Sequence, residues 1–132
     1  MLQPPTPPPV DMGEAILRSL TGAMARRDTV AFLAFYAALC PEVYARLLAA
    51  VPDPGRAGAL TEAVFVHAWN KAPACGPAEP VRVWLAAIVD EHAGGGPDPA
   101  RLECVRGEFR RLLCRADADA ESLRLAHRAE PP

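Results

Sequence analysis

The side chains with the widest chemical reach in this sequence are three histidines, four cysteines and an arginine-rich stretch near the C-terminus. His67, His92 and His127 stand far apart along the chain. Cys40, Cys75, Cys104 and Cys114 form no C-x-x-C pair, and none has a histidine at metal-ligand spacing, so free thiols are expected. For a histidine to act as acid or base, a nucleophile or carboxylate must sit beside it in a cleft, and no local pattern announces one. The sequence holds no G-x-S-x-G element. Gly94-Gly95-Gly96 lacks the lysine and following Ser/Thr of a phosphate loop and reads as a hinge. The expectation is a non-enzyme with no catalytic residues, no metal ligands and no cofactor.

The arginine-rich stretch carries Arg101, Arg106, Arg110, Arg111 and Arg115, partly offset by Glu103 and Glu108. It suits a nucleic-acid or acidic-partner surface, and equally the solvated face of a bundle helix. The formal net charge of −2 gives no whole-chain footprint for nucleic acid.

Helices must position these groups. Asp11 can cap a first helix, with Glu14 as capping-box partner and an apolar face of Ile16, Leu17, Leu20 and Met24. Arg26 and Arg27 suit its C-terminal end. Asp28 caps the next run, where Phe32, Tyr36, Leu39, Val43 and Leu47 recur at helical steps. Pro41 disfavours helical dihedrals at Cys40, which predicts two helices or one kinked helix with a common face. After the turn Pro52-Asp53-Pro54-Gly55, a third helix carries Leu60, Val64, His67 and Ala68 and ends near Lys71. Residues 72–80 form a proline- and glycine-rich loop. A fourth helix carries Val81, Trp84, Leu85 and Ile88. Beyond Gly94–Pro97, Asp98 or Pro99 opens a fifth, and a weaker sixth segment runs through Leu123 and Ala126.

The fold class is all-α, with no alternating strand pattern and no internal repeat. A hydrophobic share of 51% excludes global disorder. Residues 1–10 read as a proline-rich disordered tail adding no stability, 11–93 as the helical domain, 94–97 as the hinge, 98–128 as a C-terminal helical extension and 129–132 as a second tail. Apolar stretches read as too short to cross a bilayer, and no signal peptide is evident, so a cytoplasmic protein without membrane contact is expected.

Two stretches carry a family resemblance. Asp28-Thr29-Val30-Ala31-Phe32, continuing through Leu47-Leu48 to Pro52-Asp53, resembles the first conserved helices of bacterial sigma factors of the extracytoplasmic-function group. Leu60-Thr61-Glu62-Ala63-Val64-Phe65-Val66-His67-Ala68-Trp69, followed after a loop by Val81-Arg82-Val83-Trp84-Leu85 and Ile88, is similar to that family's L-V-Q-E-V-F-L-R-A-W and R-A-W-L-x-x-I-A. Together they span Asp28 to Ala93, about half the chain. The resemblance implies a small helical bundle like sigma region 2, with Trp69 and Trp84 both substantially buried. It implies a stand-alone transcription regulator that docks on RNA polymerase core through Leu60, Glu62, Phe65, Val66 and Trp69. Arg82 would face DNA, and the arginine-rich helix adds Arg106, Arg110 and Arg111.

The sequence departs from the family at its polar positions. Gly58, Ala59, Glu62 and Ala63 stand where acidic and amide residues usually engage the polymerase clamp. Asp90 and Glu91 stand where an arginine and an asparagine are usual, and acidic groups repel phosphate. Nothing after Gly96 resembles region 4. Initiation by this chain alone is therefore not expected. The alternative is a degenerate sigma-like protein-interaction module that touches neither DNA nor polymerase and pairs with a sigma or anti-sigma-type partner. The stripe of Leu102, Val105, Phe109 and Leu112 must also find a cover. Folding back onto the bundle is expected, and a second copy of the chain, making a homodimer, or a different partner is the other cover.

Overall fold

The computed structural model describes residues 12–76 and 79–129, so the proline-rich tail and Asp11 lie outside the described residues. Among the described residues all regular structure is helical: α1 (Met12–Ala25), α2 (Thr29–Ala50), α3 (Pro54–Lys71), α4 (Val81–Gly94) and α5 (Pro99–Ala129), with a short 3-10 turn at Ala72–Ala74. Local chemistry sets most starts. The carboxylates of Asp28, Asp53 and Asp98 accept from the first free amides of α2, α3 and α5. Pro54 sits in the first turn of α3, where its missing N–H costs nothing. Glu14 does more than serve its own helix. Its Oε1 accepts from the Val81 amide at 2.7 Å and so caps α4 from α1. Arg18 then straps the 72–80 segment by donating to the Gly76 and Glu79 carbonyls at 3.2 and 2.9 Å.

α2 runs unbroken through Pro41, where two helices or a kink were expected. Pro41 and Ala37 lie on the exposed side. The carbonyl left without a donor there is open to water, while Leu39, Val43 and Leu47 stay buried on the other side. By length and composition α2 could cross a membrane, contrary to the sequence reading, yet here it is the central packing element. It meets α1, α3, α4 and α5. Phe32, Phe35, Leu39, Val43 and Leu47 are all buried.

One hydrophobic cluster joins all five helices. Its centre is a chain of edge-on aromatic contacts, the arrangement favoured by ring quadrupoles. Phe32 meets Trp69 and Phe109 at centroid distances of 5.5 and 6.2 Å, and Tyr36 meets Phe65 and Phe109 at 5.0 Å each. Phe35 meets Phe65 at 5.9 Å. Burial, assisted by a hydrogen bond with Cys40, pushes the Tyr36 hydroxyl up to about 12. Trp69 is buried, whereas Trp84 is half-buried at the edge of the cluster. The predicted fifth and sixth segments are one helix of 31 residues. Leu102, Phe109, Leu112 and Ala116 bury its first two-thirds, while residues 121–126 stand exposed.

Candidate functional site

α5 lies across α3 and α2, so the third helix of the bundle has no open apolar face there. Leu60 and Phe65 are wholly buried, and Val66 and Trp69 are 3% and 8% exposed. The expectation that these four form a docking face meets no exposed area. Phe65 packs against Phe35 and Tyr36, and Trp69 against Phe32, all of α2, so these side chains are core. Glu62, the fifth candidate, is engaged. Its Oε2 accepts from Arg106 Nε of α5 at 2.7 Å, and that bond holds the guanidinium above its ordinary range. Asp119 clamps α5 further along by accepting from the Thr29 hydroxyl at the start of α2.

The candidate DNA-facing arginines are not brought together. Arg82 is exposed on α4 and pairs with Glu42 of α2 at 3.3 Å. Arg106 points inward to Glu62, while Arg110 and Arg111 stand exposed on α5. Asp90 pairs with Arg46 at 3.2 Å. A different arginine is built in: Arg27, in the left-handed region at φ 66°, donates to the Trp69 carbonyl at 2.9 Å. Its guanidinium lies 4.8 Å from the Trp69 ring centroid.

Beside the covered face lies a feature that sequence reasoning missed. A cavity of about 800 Å³ opens between α3, the end of α4, the glycine-rich turn and the first turns of α5. His67 from α3 and His92 from α4 meet at its wall, Nδ1 to Nε2 at 3.2 Å, with ring centroids 5.4 Å apart. Glu91 Oε2 stands 3.8 Å from the same His67 nitrogen. His92 Nδ1 is buried and has no hydrogen-bond partner among the described residues. Burial, then the neighbouring His67, holds the His92 imidazole below its ordinary value. Twenty-five residues separate the two histidines, and no spacing rule could have paired them. His127 is far along the chain in the last turns of α5.

The turn itself favours glycine. Gly96 adopts φ 44°, and a Cβ there would meet Leu60 Cδ2 at 3.0 Å and the His92 carbonyl at 3.2 Å. Cys104 and Cys114 are exposed free thiols, and Cys40 and Cys75 are half-buried ones. Burial pushes the Cys75 thiol up, against the lowering effect of Thr21 and Arg18. Among the described residues no group of three or more His, Cys, Asp or Glu side chains is assembled to hold a metal. Compared with protein-family models, curated proteins and solved structures, the chain matches none.

Proposed function

We propose that this chain is a sigma-factor-like cytoplasmic regulator that works by protein contact and carries its own cover. In this reading α2, α3 and α4 form the region 2-like bundle, and α5 occupies the face that the resemblance implies for polymerase docking. The observation that carries it is the seating of α5 on α3, pinned by Arg106 on Glu62. Docking on RNA polymerase core then requires α5 to lift. Direct DNA contact is not part of the function: Asp90 and Glu91 repel phosphate, and Arg82 and Arg106 are committed to Glu42 and Glu62.

The test is capture of purified bacterial core RNA polymerase on the immobilised full chain and on an Arg106→Glu, Phe109→Ala variant. The proposal expects little capture by the native chain and clear capture by the variant, with both chains still helical. Capture by neither refutes polymerase docking.

A second reading is an interaction module that touches neither polymerase nor DNA and binds a sigma or anti-sigma-type protein. The complete burial of Leu60 and Phe65 favours it, since residues so placed serve stability first.

A further inference from the structure

Two imidazoles in contact set a strict proton count. The nitrogens of His67 and His92 are 3.2 Å apart while the ring centroids are 5.4 Å apart, so the two nitrogens face each other almost in line. Such a contact holds one proton. In the neutral pair, placing that proton on His92 Nε2 leaves His92 Nδ1 bare, which suits a buried nitrogen without a partner among the described residues. An under-satisfied acceptor is tolerated better there than an orphaned N–H.

An added proton removes this solution. The pair then has three protons for four nitrogens, and with one shared in the contact, both outer nitrogens must carry N–H. One of these is His92 Nδ1, buried with nothing among the described residues to accept from it. The alternative is for the rings to separate. Glu91 favours that outcome, because its carboxylate stands 3.8 Å from His67 Nδ1 and receives an imidazolium that turns away from His92.

The surrounding charges are mixed. On α5, Arg101 disfavours a new positive charge in the cavity and Glu108 favours it, with the Cys104 thiol between them. α3 adds the neutral Asn70 to the wall and the exposed Lys71 beyond it. Arg56 reaches toward the turn at Gly96, and Arg46 of α2 is held by Asp90.

The position of the pair gives the separation a consequence. His92 precedes the Gly94-Gly95-Gly96 turn by two residues, and its carbonyl lies against Gly96. The turn launches α5, whose first turns face the cavity through Arg101, Cys104 and Val105 while Leu102 packs into the core. We propose that the His67–His92 contact is an acid-sensitive fastener. Neutral, it holds the end of α4 and the turn; protonated, it opens and frees the first turns of α5, while Phe109 keeps the rest seated. The inference does not depend on the partner proposed above.

The direction of the pH effect follows from linkage. A histidine held below its ordinary 6.5 stabilises the fold fully above that value, and the contribution is lost as pH falls through the lowered value.

Hydrogen exchange on the full chain tests the proposal, with protection expressed relative to the intrinsic rate at each pH. Between pH 7.5 and 5.0, residues 94–105 are expected to lose about tenfold in protection. Residues 106–116 are expected to change little. His92→Gln, which removes the buried ring, is expected to show less than about a third of that loss on a logarithmic scale. A native chain whose 94–105 protection is indifferent to pH would overturn the proposal, and so would the glutamine variant with the full native loss. Imidazole NMR titration of the native chain adds a readout that needs no variant. His92 is expected to titrate below 6.5, in step with amide shifts at 94–96, and a His92 titration uncoupled from those amides contradicts the fastener.

Discussion

α5 is held in two unlike ways along its length. Around Phe109 it meets α2 through rings, with Tyr36 at 5.0 Å and Phe32 at 6.2 Å, and Ala116 about two turns further on is wholly buried. Around Arg101 and Cys104 it borders an open cavity whose wall carries a histidine pair, with only Leu102 of that turn buried in the core. The first seam is the same kind of packing that joins α2 to α3, and burial of large side chains stabilises it whatever the pH. The second depends on a turn that favours glycine and, in the proposal above, on the neutral histidine contact. A helix that covers a neighbour's face can thus be firmly rooted at its middle and conditionally held where it begins.

Substitutions along α5 and its turn probe this contrast. Phe109→Ala removes the ring that ties α5 to α2, and urea unfolding is expected to show a loss of about 3–5 kcal/mol. A loss under about 1 kcal/mol would mean that the aromatic seam does not root the helix. Gly96→Ala puts a side chain at φ 44° against Leu60 and the His92 carbonyl, with an expected cost of about 1–3 kcal/mol in the same measurement. Asp98→Ala removes the cap on α5, where Asp98 Oδ1 accepts from the Arg101 amide at 2.8 Å. About 1 kcal/mol is expected if the first turns contribute to global stability, and much less if they open before the core. Arg110→Ala and Arg111→Ala, at exposed positions, are expected to shift thermal melting by no more than the equivalent of about 0.5 kcal/mol.

Much of the helical plan was legible because its punctuation is local. Asp28 caps and Gly94 to Pro97 stop, each for reasons contained within a few residues, whereas Pro52 to Gly55, read as a turn, opens α3 at Pro54 with Asp53 as its cap. Pro41 misled because its steric objection is local while the remedy is not. The exposed backbone there turns to water, and the buried stripe beneath keeps the helix whole. Phe35 escaped the single-face reading of α2 because the helix is covered on several sides, and a stripe argument assumes one. The fold-back of α5 followed from its apolar stripe, and the stripe is indeed buried against the bundle. Which surface it covers was not written in its spacing. Nor was the pairing of His67 with His92, which exists only once α4 lies alongside α3.

The central claim is that α5 belongs to the core and seals the α2–α3 face. A double-mutant cycle between Tyr36→Leu on α2 and Phe109→Leu on α5 tests it most directly, by urea unfolding of the four chains at pH 7.5. The contact at 5.0 Å predicts a coupling of about 0.5–1.5 kcal/mol, the range for an edge-on aromatic pair. Effects that add to within about 0.3 kcal/mol would place the two rings apart in solution and contradict the seal.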